Sequence, residues 1–129
     1  MTIKVGDTIP SVKLMQATPD GPREVSTDEI FKGRTVVLFA VPGAFTPTCS
    51  AKHLPSFLHN IDALKAKGVA TVACVAVNDA FVLDAWAKSQ DAAGKILMLS
   101  DGNATFTKAI GMDFDGSGFG LGVRSKRYA

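Results

Sequence analysis

Cys49 combines a residue type and a position that favour nucleophilic chemistry. It stands at the start of a predicted helix, directly after an apolar strand pattern and the turn-rich residues 42–47. The first N–H groups of a helix have no partner within it and carry partial positive charge, so a thiol placed there has a stabilised thiolate and a lowered pKa. The alternative is a small, buried and inert cysteine.

The residues before Cys49 define the surroundings of its thiol. Pro42, Gly43 and Pro47 fix an unusual backbone path between the strand and the helix. Thr46 precedes Cys49 by three positions, so its hydroxyl can reach the same pocket. In open α/β sheets, reactive groups gather at the carboxyl ends of strands, which is where this segment lies.

His53 and Cys74 are the other side chains that could assist or react with this thiol. His53 lies four positions after Cys49 and could share its helix face, an arrangement that would suit a cysteine hydrolase. A base on the same helix is poorly aimed at the thiol, so we expect a packing or surface histidine. Cys74 lies in an apolar strand pattern, which predicts a core residue. A Cys49–Cys74 disulfide would need Cα atoms within about 7 Å of each other.

An alternation of strand and helix patterns positions these residues. The predicted elements are, in order, strand 12–15, strand 35–41, helix 48–67, strand 69–77, helix 78–90, strand 96–99, helix 101–110, a loop at 113–122 and the start of a strand at 125–129. This order predicts an α/β fold with a partly parallel central sheet and right-handed crossovers. Pro55 falls within the first helix and predicts a kink near residues 51–55.

Each of the two longer helices shows one apolar face, which we expect to pack against the sheet. Asn78 or Asp79 is expected to cap the second helix. The first face consists of Leu54, Phe57, Leu58, Ile61 and Leu64, and the second consists of Phe81, Val82, Ala85 and Trp86.

The composition fits one globular domain over residues 1–129 and excludes several classes of function. The chain is 47% hydrophobic and 20% charged, and its formal net charge is +2. This small charge, with a basic cluster limited to Arg124, Lys126 and Arg127, argues against nucleic-acid binding and against acidic membranes. Two cysteines and two histidines without close metal-ligand spacing make a poor zinc site. The opening MTIKVGDTIP lacks a secretory signal pattern, so we expect a cytoplasmic protein.

Pro42, Thr46 and Cys49 fit the P-x-x-x-T-x-x-C pattern of peroxiredoxins. The longer string PGAFTPTCS, which is followed closely by KHLP, resembles the atypical type II branch of that family, also called peroxiredoxin-5-like. The blocks VGDTIP, LKAKGV, VNDAFV and RSKRY extend the resemblance over nearly the whole chain. The resemblance implies a thioredoxin-like α/β fold, with a mixed central sheet flanked by helices.

The resemblance also implies a role for each matched residue. Cys49 would be the peroxidatic cysteine, which a peroxide oxidises to a sulfenic acid. Thr46 would hydrogen-bond the peroxide and the thiolate, and Pro42 would shield the thiolate from water. Arg127 matches the active-site arginine of the family, and Arg124 is the weaker candidate for that role. No metal, flavin or haem is implied.

The implied activity is thiol-dependent reduction of hydrogen peroxide and organic hydroperoxides. Some members of this branch have a resolving cysteine closer to the C-terminus, whereas Cys74 is the only second thiol here. We therefore expect an external reductant, either glutathione with glutaredoxin or thioredoxin. The branch also implies a homodimer with the active-site loops near the interface, which Phe45 would serve. The alternative is a redox-sensing interaction protein that oxidation of Cys49 switches.

Members of this branch normally continue past the RSKRY block through further strands and a closing helix. The resemblance therefore leads us to expect a chain that is shortened at its C-terminal end. We then expect an exposed sheet edge, reduced stability, and fraying near Arg127 that would take its charge away from the site.

Overall fold

The computed structural model describes residues 2–47 and 49–129, with Cys49 and Ala51 described by their backbone alone. In that part of the chain the strands are β1 Lys13–Thr18, β2 Gly21–Ser26, β3 Val36–Ala40, β4 Thr71–Ala76, β5 Leu97–Ser100, β6 Asp113–Asp115 and β7 Val123–Ser125. The α-helices are α1 Thr27–Phe31, α2 Leu54–His59, α3 Ile61–Ala66, α4 Ala80–Ser89 and α5 Thr105–Ala109. A π-helical segment, Cys49–His53, directly precedes α2, and a 3-10 turn spans Ser117–Phe119.

Five of the strands form one mixed sheet in the order β2-β1-β5-β4-β3. The pairs β3–β4 and β4–β5 are parallel, while β1 is antiparallel to both of its neighbours. The short strands β6 and β7 form a separate antiparallel pair. The predicted α/β class and the partly parallel central sheet are confirmed.

The central strands are buried on both faces, because successive side chains of a strand point to opposite sides of the sheet. One core cluster contains Phe39, Cys74 and Trp86, and the other contains Val75 and Phe106. Phe39, Cys74 and Trp86 have no exposed surface. The predicted core position of Cys74 is therefore confirmed.

The helix predicted over residues 48–67 is divided into the π-helical segment, α2 and α3. Pro55 cannot donate a backbone hydrogen bond, and the helix type changes from π to α one residue before it, within the predicted kink region. A second break, which was not predicted, falls at Asn60. The side-chain amide of Asn60 donates to the carbonyl oxygen of Ser56 at 2.7 Å, a bond that competes with regular helix geometry.

The buried face of α4 differs from the predicted one. Phe81 and Ala85 are exposed, Phe81 by 70%, so their assignment to the core-facing side is wrong. Asp79 caps the helix, with its carboxylate accepting an N–H bond of 2.8 Å, and this start sets which positions face the sheet. Leu83 and Trp86, three positions apart, lie at the centre of the buried face.

Three hydrogen bonds link the segment after β3 to the rest of the sheet and to α4. Asn78 Oδ1 accepts the N–H of Ala44 at 2.9 Å, and the carbonyl oxygen of Asn78 accepts the Ser100 hydroxyl at 2.6 Å. Trp86 Nε1 donates to Ser50 Oγ at 3.0 Å. The loop after β3 and the π-helical segment are therefore positioned by residues that are distant in sequence.

Replacing Asn78 should loosen this loop. We expect Asn78→Ala to lower the free energy of unfolding by about 1–3 kcal/mol, because the buried Ala44 N–H loses its acceptor. Asn78→Asp keeps an acceptor oxygen at the same place and should lose less. Urea denaturation of both variants measures the difference. Equal losses in the two variants would contradict the role given to the Asn78–Ala44 hydrogen bond.

Candidate active site

Arg124 holds the loop that follows β3. Its Nη1 donates to the carbonyl oxygen of Pro42 at 3.2 Å, and its Nε donates to the carbonyl oxygen of Leu121 at 3.0 Å. Gly43 permits this approach, since a Cβ atom at that position would lie only 2.8 Å from Arg124 Nη1. The arginine that the sequence marked as the weaker candidate therefore fixes the loop that leads to Cys49.

Thr46 lies at the end of the same loop and uses both of its polar groups locally. Its hydroxyl donates to the carbonyl oxygen of Gly43 at 2.7 Å, and its own carbonyl oxygen accepts the N–H of Ser50 at 3.0 Å. A hydroxyl has one proton and two lone pairs. Because the proton is given to Gly43, Thr46 Oγ1 can serve as an acceptor toward an O–H group placed beside it.

Cys49 begins the π-helical segment directly after this loop. Turns of π-helix are rare and are frequently found at functional sites. The expected helix N-terminus is less open than predicted, because the N–H of Ser50 is already bonded to Thr46. The predictions that concern the Cys49 thiol itself, including its pairing with Cys74, lie outside the described side chains.

Arg127 reaches the π-helical segment through a strand pairing. Tyr128 forms an antiparallel bridge with Ala40, the last residue of β3. The N–H of Ala40 donates to the Tyr128 carbonyl oxygen at 2.9 Å, and the N–H of Tyr128 donates to the Ala40 carbonyl oxygen at 3.4 Å. The side chain of Arg127 then places Nη1 2.8 Å from His53 Nδ1. In place of the expected fraying, the structure has a backbone pairing next to Arg127.

His53 packs against two phenylalanine rings. Its ring centroid lies 5.2 Å from that of Phe39 and 5.5 Å from that of Phe57, and the planes are tilted by 63° and 64°. Burial, followed by the positive charge of Arg127, lowers the pKa of His53 below its ordinary value. The imidazole is therefore neutral at neutral pH, and Nδ1 accepts a hydrogen bond from the guanidinium.

The phenol of Tyr128 anchors the same end of the chain in the core. Its ring packs against the cluster that contains Val75 and Phe106. Burial, with Asp101 and Cys74 nearby, raises the pKa of the phenol, so the group stays protonated at physiological pH. Among the described residues its hydroxyl is one of two buried side-chain atoms without a hydrogen-bond partner. The ring therefore contributes through packing.

The loop after β3 contacts Arg124 of β7, while Arg127, which follows β7, contacts His53 at the end of the π-helical segment. His53 packs on apolar rings as predicted, but its contact with Arg127 was missed. In the sequence, the four-residue spacing between Cys49 and His53 suggests only that His53 could act as a base for the thiol, and it gives no sign of the contact with Arg127. Of the predicted site residues, Pro42 and Thr46 lie in the loop after β3, Arg124 contacts that loop, and Arg127 contacts the π-helical segment.

Two features of the described residues concern metal clusters and membrane-spanning helices. Across residues 2–47 and 49–129, no group of three or more His, Cys, Asp or Glu side chains lies close enough together to hold a metal ion. Within the same residues, no helix has the length and apolar character that crossing a bilayer requires.

Comparison with known proteins identifies the family. The redoxin family model matches residues 4–129. Peroxiredoxin-2E-2, chloroplastic, from Oryza sativa is 53% identical over 133 residues, which cover 99% of this chain and 59% of that protein. The chain thus spans less than two thirds of that relative's length.

Solved structures agree with the sequence comparison. Reduced Prx3 from Vibrio vulnificus in complex with hydrogen peroxide is 53% identical, with a TM-score of 0.92 over 98% of this chain and 78% of that one. Peroxiredoxin 5 from Alvinella pompejana is 42% identical, with a TM-score of 0.87 over 97% of this chain and 79% of that one. The predicted thioredoxin-like fold and the predicted resemblance are confirmed, and this chain belongs to the peroxiredoxin family.

Proposed function

We propose that this protein is a thiol-dependent peroxidase that reduces hydrogen peroxide and organic hydroperoxides at Cys49. The observation that carries the proposal is the position of two arginines on either side of the segment in which Cys49 lies. Arg124 contacts the Pro42 carbonyl before Cys49, and Arg127 contacts His53 after it. We propose that these two permanent positive charges favour the Cys49 thiolate, which is the nucleophilic form.

The first step oxidises the sulfur by two electrons. The Cys49 thiolate attacks the terminal oxygen of R–O–O–H, so that an S–O bond forms while the O–O bond breaks. The products are the Cys49 sulfenic acid and the anion RO⁻, which takes a proton from water to give ROH, or water when R is hydrogen. Negative charge moves from sulfur to the leaving oxygen, and Arg127 is proposed to stabilise it there.

Thr46 is proposed to orient the peroxide, and Pro42 is proposed to exclude water from the thiolate. Thr46 Oγ1 has given its proton to the Gly43 carbonyl, so it can accept the O–H of the peroxide. That hydrogen bond would direct the terminal oxygen toward the sulfur. Pro42 is half-buried and, having no backbone N–H, offers an apolar surface that keeps water away from the thiolate.

Regeneration is proposed to need an external thiol. A thiol R′SH attacks the sulfenic acid to give a mixed disulfide and water, and a second thiol releases the Cys49 thiol and R′–S–S–R′. Cys74 is fully buried in β4, which favours this one-cysteine route over a resolving role for Cys74. Glutathione with glutaredoxin, or thioredoxin, are the proposed donors.

We expect rapid oxidation of Cys49 by hydrogen peroxide. Trp86, the one tryptophan of the chain, donates to Ser50 and should report the reaction by its fluorescence in stopped flow. Cys49→Ser should abolish the signal and the one-oxygen mass gain, and Cys74→Ala should keep both.

Thr46→Val should slow oxidation by about 10- to 100-fold through loss of one hydrogen bond to a reacting group, and Thr46→Ser should retain the rate.

Two outcomes of this experiment would argue against the proposed activity. One is oxidation of the reduced protein no faster than that of an ordinary exposed thiol. The other is full turnover in Cys49→Ser.

A homodimer that buries this end of the sheet is proposed as the working form. Phe45 has a left-handed backbone (φ 62°) and is 55% exposed, while Phe81 is 70% and Phe119 is 87% exposed. The Ala44–Asn78 hydrogen bond places the loop of Phe45 beside the start of α4, which carries Phe81. Exposed aromatic side chains near one another are typical of interface cores.

Phe45→Glu should therefore weaken the dimer. We expect sedimentation velocity to show a dimer for the unmodified chain and a shift toward monomer for Phe45→Glu. Val5→Glu is the control, because Val5 is a fully exposed apolar residue and lies on the N-terminal segment that contacts Ile110 through Ile3. A monomer at every concentration before any substitution would contradict the proposed dimer.

Two further predictions accompany this function. We propose that residues 1–129 form one thioredoxin-like domain, supported by a sheet that draws strands from residue 13 to residue 100 and pairs with Tyr128. The cytoplasm stays the predicted location, although the rice relative is named as chloroplastic.

A further inference from the structure

His53 joins the segment that begins with Cys49 to the segment that carries Arg127. The distance from Arg127 Nη1 to His53 Nδ1 is 2.8 Å, within the range of a hydrogen bond. A guanidinium can only donate, so Nδ1 must be the acceptor. The imidazole is therefore neutral in this arrangement, with its proton on Nε2.

The surroundings of His53 restrain the plane of its ring. β3 presents the ring of Phe39 and α2 presents the ring of Phe57, and these two rings stack on each other at 4.2 Å. Both are uncharged. The charged group that faces His53 from another element is Arg127, and Lys52 is its neighbour on its own segment. A tilt of the imidazole plane would have to disturb the aromatic packing, and within that plane the hydrogen bond to Arg127 favours the orientation with Nδ1 toward the guanidinium.

We propose that neutral His53 is a positioning residue for Arg127, and that protonation of His53 breaks this contact, shifts the guanidinium and slows peroxide reduction at Cys49. Protonation of Nδ1 removes the acceptor and places a second positive charge 2.8 Å from the guanidinium. The contact then changes from attractive to repulsive. The effect on rate rests on the proposed peroxidase function, whereas the pairing of the two side chains does not.

The direction of the pH dependence follows from burial and charge. Both lower the pKa of His53, so the neutral, orienting form persists at neutral pH and is lost only as the pH falls through the lowered value. The free energy of unfolding also decreases as the pH falls, because the unfolded chain binds a proton at His53 more readily than the folded chain does. Stability from this group is complete above the unfolded pKa and decreases as the pH falls below it.

The kinetic test compares three forms of residue 53 across pH. In the unmodified chain we expect the second-order rate constant for oxidation by hydrogen peroxide to fall at acid pH in two steps, one from Cys49 and one from His53. His53→Asn places an amide oxygen near the position of Nδ1 and cannot be protonated in this range, so the second step should disappear while the neutral rate stays within about threefold. His53→Phe keeps a ring without an acceptor and should be about 10- to 100-fold slower at all pH values.

A test that needs no activity follows the imidazole itself by NMR. The chain has two histidines, so the spectrum of His53→Asn identifies the His53 resonance by its absence. Arg127→Gln removes the facing charge, and we expect the pKa of His53 to rise in this variant. The matched control is Lys126→Gln, which removes a charge next to Arg127 in sequence and should change the pKa of His53 less.

These results separate failure of the inference from failure of the proposed function. An unchanged pKa of His53 in Arg127→Gln, or a neutral rate in His53→Phe equal to that of the unmodified chain, would overturn the positioning role. Slow oxidation in every form, together with a raised pKa in Arg127→Gln, would instead reject the peroxidase function and leave the pairing in place. A rate that keeps its second acid step in His53→Asn would overturn the assignment of that step to His53.

Discussion

Ala40 and Tyr128 exchange two backbone hydrogen bonds, of 2.9 and 3.4 Å, at the outer edge of β3. This pair attaches the last residues of the chain to the strand that leads into the candidate site. Arg127 is the neighbour of Tyr128, so this attachment brings it to the π-helical segment, where it contacts His53. The ring of Tyr128 adds to the attachment by packing against the core cluster that contains Val75 and Phe106.

Two arginine side chains bring positive charge to residues that flank Cys49 in the sequence. The sequence suggested a helix N-terminus as the source, but the first segment after the loop is π-helical and the Ser50 N–H is bonded to Thr46. Two permanently charged side chains contact residues before and after Cys49 in the chain: Arg124 contacts the carbonyl oxygen of Pro42, and Arg127 contacts His53. Because its pKa is lowered, His53 is neutral and accepts a hydrogen bond from Arg127 without adding a third positive charge.

Local patterns predicted the parts of the fold that depend on local chemistry. The apolar runs at residues 35–41 and 69–77 gave β3 and β4, and Asp79 capped α4 as expected. β2 and α1 were missed because the sequence GPREVS mixes turn formers and charges, and it becomes a strand only by pairing with β1. The motif led to Thr46 and Arg127 through resemblance. Pairing of Arg127 with His53 depends on the Tyr128 bridge, a contact between residues distant in sequence that no local pattern encodes.

The most direct measurement of this arrangement is amide hydrogen exchange at Ala40, followed by NMR in the reduced chain. The N–H of Ala40 donates to the carbonyl oxygen of Tyr128, whereas the N–H of Val41 donates within the sheet to Val75 and serves as the internal reference. We predict that Ala40 is protected to a similar degree as Val41, and that removal of residues 127–129 abolishes the protection of Ala40 alone. Rapid exchange of Ala40 beside a protected Val41 in the intact chain would contradict the pairing, and with it the placement of Arg127 at the site.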